Sequence, residues 1–136
     1  MNHNIDISFT RQVDPTALRR LYAQTTWASA WSDESIARML ANTRITAGAW
    51  ASDRLIAFAR VVTDDVFRAV IEDVVVDRPY RGQGIGSRLI HQLLARLGHV
   101  EEIALGCTPD LVGFYERFGF LPVHNCIMSR RGDGAA

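Results

Sequence analysis

The segment that most constrains what this chain can fold into is Arg81-Gly82-Gln83-Gly84-Ile85-Gly86-Ser87. It follows an apolar run ending in Val74-Val75-Val76, which reads as a strand. It precedes a stretch in which Ile85, Leu89, Ile90, Leu93, Leu94 and Leu97 recur at helical spacing up to Gly98. A glycine-rich turn between strand and helix aims backbone N–H groups outward at the positive helix end, which makes an anion cradle. Glycines let main chain approach a phosphate closely, and Arg81 is placed to add a charge-assisted contact. The expected ligand carries a pyrophosphate. Two better-known glycine loops fit poorly. The chain has no Lys, which a P-loop needs, and Gly82-x-Gly84-x-Gly86 at the fourth strand is not the Gly-x-Gly-x-x-Gly of a dinucleotide fold's first strand.

The rest of the sequence supplies elements around that loop. Ile5 to Thr10 alternates as a half-buried strand, and Asp14-Pro15 starts a helix to about Gln24. Thr25 to Ser32 carries Trp27 and Trp31, and Ser32 caps a second helix through Leu40 with Asp33 and Glu34 at its positive end. Thr43–Ala51, Leu55–Val62 and Val66–Val76 read as an antiparallel meander joined by polar turns. After the glycine-loop helix come a strand over Glu101–Cys107, a helix from Pro109 carrying Phe114 and Tyr115 and stopped at Gly119, and a strand-like tail from Phe120 to about Arg130. Residues 131–136 are expected to be a loose end, and the whole of 1–136 a single domain. The order β-α-α-β-β-β-α-β-α-β predicts an α+β class of three layers, with one central mixed, mostly antiparallel sheet and helices on both faces.

The loop matches (Gln/Arg)-x-x-Gly-x-(Gly/Ala) as Arg81, Gly84 and Gly86, and Phe114-Tyr115-Glu116-Arg117-Phe118-Gly119-Phe120 follows about thirty residues later. On these two motifs the chain resembles the GNAT N-acetyltransferases. The likeness is carried by about Ile71 to Phe120; the first half agrees in element order only. It implies the acyl-CoA N-acyltransferase fold, acetyl-CoA as cosubstrate and no metal. The partner would be an amine acceptor, and dimerisation is common in such proteins.

The resemblance also implies roles. Val74, Val75 and Val76 would offer exposed main chain to the pantetheine arm, and the Val74 N–H would polarise the thioester carbonyl. The pyrophosphate would lie on Arg81, Gly82, Gln83, Gly84, Ile85, Gly86 and Ser87. Tyr115 would protonate the departing thiolate. An alkylammonium must lose a proton before it attacks, so a base or water chain is needed. Strand alternation puts Glu72 on the face of Val74 and Asp73 on the other, making Glu72 the candidate base; an exposed carboxylate paired with Arg60 or Arg68 is the competing reading. Trp27 and Trp31 border the region where such proteins take the acceptor, but tryptophans are more often core, and a core position is expected. Cys107 as an acyl-enzyme nucleophile carries little weight with no His near it in sequence.

Bulk properties narrow the class. Fifteen acidic residues balance fifteen basic ones, so nothing draws the chain to nucleic acid or an anionic membrane. No apolar run spans a bilayer. Cys107 and Cys126 lack zinc-site spacing, His3, His91, His99 and His124 do not cluster, and no signal pattern opens the chain, so a reducing cytoplasmic setting is expected. The reaction expected is direct transfer to a primary amine, with a small molecule favoured. The competing readings are a peptide or protein N-acetyltransferase, a longer acyl donor, and an acyl-CoA-binding module without turnover.

Overall fold

The structure, a computed structural model, describes residues 4–134. His3 and the last two residues of the expected loose end lie outside the described residues. Five strands, β1 (Ile5–Ser8), β2 (Ile45–Ala51), β3 (Arg54–Thr63), β4 (Arg68–Val76) and β5 (Glu102–Leu105), lie in that order in one sheet. The first four run antiparallel and β5 runs parallel to β4. The helices are α1 (Pro15–Tyr22), α2 (Asp33–Ala41), α3 (Ile85–Arg96) and α4 (Val112–Glu116), the last entered through a 3-10 turn at Pro109–Leu111. Residues to Gly106 form one compact unit and those from Cys107 a second.

Within the first unit the helices begin where local chemistry favours it. The Asp14 carboxylate accepts from the Ala17 N–H at 3.0 Å ahead of Pro15, and Ser32 Oγ accepts from the Ser35 N–H at 3.1 Å. Each such cap contributes about 1 kcal/mol by satisfying an otherwise orphaned donor. The α1 residues Leu18, Leu21 and Tyr22 and the α2 residue Ile36 close over Trp50, Leu55, Phe58 and Val75 on one face of the sheet. On the other face α3 buries Ile85, Leu89, Ile90 and Leu93 against β2, β3 and β4. The meander and the layered α+β arrangement therefore form as expected from sequence.

β4 starts two residues later than its apolar pattern suggests. Asp64 Oδ1 accepts from the N–H groups of Val66, Phe67 and Arg68, at 2.8, 2.7 and 3.2 Å, and this loop holds Val66 and Phe67 out in solvent. Those same donors hold the Asp64 carboxyl below the usual range.

In the second unit Gly119 takes a φ of 92° just past α4, and Phe114 packs edge-on against Tyr115 and Phe118. The strand expected over Phe120–Arg130 is not formed. Leu121, Val123, Ile127 and Met128 are all exposed, and Pro122 removes a ladder donor; alternation makes a strand only where an edge pairs with it.

Candidate active site

The glycine loop takes the form its composition calls for. Gly82 and Gly84 have φ of 77° and 82°, and a Cβ at either position would meet no atom within 4 Å. The loop is therefore open on the side that a side chain would fill. Gly84 is the N-cap of α3, and the first intrahelical bond runs from Arg88 N to Gly84 O. The N–H groups of Ile85 and Gly86 precede that bond and stand at the positive end of a twelve-residue helix. This arrangement fits a diphosphate group.

Arg81 sits differently from expectation. Its Nε donates to Val76 O at 2.8 Å, its Nη2 reaches Gln24 Oε1 at 3.4 Å, and its backbone N–H donates to Arg78 O at 3.2 Å. The side chain braces the loop against the end of β4, and Gln83 does likewise through Pro79 O at 3.3 Å.

Behind the loop stands Asp77, only 1% exposed and not singled out by the sequence reading. Its Oδ2 accepts from Arg20 Nη1 at 3.0 Å and from Arg54 Nη2 at 3.1 Å, and its Oδ1 accepts from Gln24 Nε2 at 2.7 Å. Gln24 Oε1 in turn accepts from the Arg78 N–H at 2.9 Å. Burial pushes the Asp77 carboxyl up, but the hydrogen bonds from Gln24, Arg20 and Arg54 outweigh it and hold it below the usual range. The network ties α1 and β3 to the first residues of the loop.

β4 departs from simple alternation where the sequence reading relied on it. Arg60 pairs with Glu72 and Phe58 with Val75, so Ala59 alone faces both Asp73 and Val74. This is a β-bulge, and Asp73 carries a φ of 59° within it. The bulge overturns the argument that parity puts Glu72 and Val74 on one face and Asp73 on the other. Glu72, half-buried, lies across from Arg60, yet the Arg60 ion pair goes to Asp73, with Nε 2.6 Å from Oδ2. On its other edge β4 pairs with β5 only from Arg68 to Ile71. Glu72 to Val76 continue without a β5 partner.

The aromatic residues also differ from expectation. Trp27 and Trp31 are 49% and 37% exposed, not core. They meet each other edge to face at 6.0 Å and both abut the buried Tyr22, at 5.9 and 5.1 Å. In the connection between α1 and α2 the residue that turns into the core is Ala28, and the two indoles on either side of it form an aromatic shelf on the surface of the α1–α2 layer.

Tyr115 belongs to the second unit, where it is buried and lies edge-on to Phe114 and Phe120. Burial, aided by the nearby Cys107, pushes its hydroxyl above the ordinary tyrosine value. It is therefore protonated at neutral pH. Cys107 is exposed, and among the described residues no three His, Cys, Asp or Glu side chains gather as a metal site would require.

Comparisons with known proteins agree with this geometry. The model of the acetyltransferase (GNAT) family matches residues 13–120. An uncharacterised N-acetyltransferase of Pyropia yezoensis is 41% identical over 52% of this chain and 42% of its own length. A chloroplastic serotonin N-acetyltransferase of Oryza sativa is 34% identical over 79% of this chain and 56% of its own. The chain thus spans about half the length of these relatives. A solved GNAT-family protein from Xanthomonas campestris is 27% identical, superposes with a TM-score of 0.84, and covers 96% of this chain and 95% of that one.

Proposed function

Because this chain belongs to the GNAT acetyltransferase family, we propose that it transfers the acetyl group of acetyl-CoA directly to a primary amine of a small molecule. The single observation carrying the donor assignment is the pair of left-handed glycines at the N-terminus of α3, which follow a strand left without a β5 partner beyond Ile71. Gly82, Gln83, Gly84, Ile85, Gly86 and Ser87 would hold the pyrophosphate, and Arg81 would act mainly by bracing the loop. The main chain of Val74, Val75 and Val76 would bind the pantetheine arm, with the Val74 N–H directed at the thioester oxygen.

In the transfer the amine nitrogen bonds to the acetyl carbon while the C–S bond breaks, and the nitrogen sheds a proton. Tyr115 is assigned to protonating the thiolate; its hydroxyl keeps its proton at neutral pH, so the proton is present to be given, although burial makes it a weaker acid than a free tyrosine. Glu72 remains the assigned base, on its half-buried position next to the bulge. The exposed Trp27–Trp31 shelf supports an acceptor with an aromatic or apolar body, a class to which serotonin, named in the Oryza relative, belongs. Two exposed free thiols, Cys107 and Cys126, support a reducing compartment.

Calorimetric titration with acetyl-CoA, with ATP and NAD as controls, tests the donor. Selective binding, followed by CoA release with an arylalkylamine, is the expected result; a folded protein that does not bind acetyl-CoA would refute the proposal. Tyr115→Phe is expected to lower kcat roughly tenfold, a modest effect because a thiolate already leaves readily, with acetyl-CoA affinity unchanged. Trp27→Ala with Trp31→Ala is expected to raise KM for an arylalkylamine about tenfold while leaving KM for a short aliphatic amine within a factor of two. Equal effects on both amines would remove the shelf from acceptor recognition.

A further inference from the structure

Asp73 is a non-glycine residue in the left-handed region, inside a strand, at a point where the ladder is broken. Such a backbone conformation is unfavourable for a residue with a Cβ and persists only where the surroundings over-determine it. Here they do. Tyr22, fully buried on α1, donates its hydroxyl to Asp73 Oδ2 at 3.0 Å, and Arg60 Nε on β3 donates to the same oxygen at 2.6 Å. Burial first, then the charge of Asp73, raises the Tyr22 hydroxyl far above the ordinary tyrosine value, so it remains a donor. Burial lowers proton affinity at Arg60, but Asp73 more than compensates, so it too remains a fixed cation. Two elements packed on different sides of the bulge therefore grip one carboxylate oxygen.

The consequence falls on the next residue. Val74 faces Ala59 jointly with Asp73, and β5 has already left β4, so Val74 has no register partner of its own on either neighbouring strand. If Asp73 relaxed to extended backbone, Val74 would fall back into register with β3 and its N–H would turn with it.

We propose that Tyr22, Asp73 and Arg60 form a positioning lock that holds the β4 bulge and thereby aims the Val74 N–H at the reacting carbonyl. Asp73 acts here through its backbone conformation and contributes no proton transfer. The catalytic part of this inference rests on the acetyltransferase reading; the structural part does not.

The test compares Asp73→Val, whose β-branched side chain resists the left-handed region, with Asp73→Asn, which tolerates it and keeps an acceptor for Tyr22. Tyr22→Phe removes one of the two grips. In protein labelled with 15N-valine, without ligand, the Val74 amide resonance is expected to move in Tyr22→Phe, a substitution far from Val74 in sequence that reaches it through the Asp73 grip. With acetyl-CoA and an arylalkylamine, kcat should fall about 10²-fold in Asp73→Val, the size of losing one oxyanion donor. It should fall less than about fivefold in Asp73→Asn and by an intermediate amount in Tyr22→Phe, with acetyl-CoA affinity within threefold throughout. An unmoved Val74 resonance in folded Tyr22→Phe would overturn the lock. So would Asp73→Asn as inactive as Asp73→Val, since that result would make the carboxylate a chemical participant. If Asp73→Val does not fold, the Tyr22→Phe resonance and kcat decide by the same criteria. Wild-type protein that turns over no amine would sink the acetyltransferase reading alone, leaving the lock to the resonance comparison.

Discussion

Gly84→Glu is expected to weaken acetyl-CoA binding by 100-fold or more while lowering Tm by only a few degrees. Gly84 sits at a φ of 82°, where an L-residue is strained by about 1–2 kcal/mol. The added Cβ meets nothing within 4 Å, so the fold has room for a side chain and the variant should remain folded. That same open volume is where the pyrophosphate is assigned. A carboxylate about 6 Å from one phosphate charge at an effective dielectric of 20 costs nearly 3 kcal/mol, which by itself is about a hundredfold in affinity. Gly84→Ala separates strain from charge: it carries the same backbone penalty with a single methyl, and its affinity should fall only several-fold. Calorimetric titration of both variants, with circular dichroism to confirm folding, reads the difference. A folded Gly84→Glu that binds acetyl-CoA as the wild type does would place the phosphates elsewhere.

How much of this was legible in the sequence depends on whether the causes are local. The caps at Asp14 and Ser32, the turn at Ser52 and Asp53 and the α3 stripe act within a few residues, and they appear where the sequence puts them. The glycine loop was legible because phosphate contact there depends on main chain, which the positions of Gly82 and Gly84 control. The bulge was not. Alternation assumes an unbroken ladder, and the break at Asp73 depends on Tyr22 and Arg60, 51 and 13 residues away in sequence. The Asp77 network likewise gathers Arg20 from α1, Gln24 from the turn after it and Arg54 from β3. A short polar residue between Val76 and Arg78 signals only a strand end. The tryptophans misled because average burial describes a residue type, whereas on the connection between α1 and α2 it is Ala28 that fills the core position and the indoles lie outside it. The tail misled in the opposite way: Leu121 and Val123 have strand propensity, but pairing needs an edge.

The largest effect on stability is expected at Asp77. Truncation to Ala leaves Arg20, Arg54 and Gln24 without their shared acceptor beneath the loop, and breaking a buried pair of this kind costs about 3–5 kcal/mol. Both guanidinium groups reach solvent, so Asp77→Ala should fall near 3 kcal/mol, a large share of the roughly 5–15 kcal/mol that keeps a domain folded. The pH dependence has a definite sign. The folded-state pKa of Asp77 lies below that of the unfolded chain, near 3.9, so its contribution is complete above about pH 4 and is lost as pH falls through the folded value. Asp77→Asn keeps the shape and the hydrogen bond to an arginine but loses this titration. Its stability should therefore lie below that of the wild type at pH 7 and decline less steeply between about pH 4 and pH 2. Urea unfolding across that range distinguishes the two. Parallel declines would mean that the Asp77 carboxylate is not what holds α1 and β3 to the loop, and that the arginines find water or main chain as adequate partners.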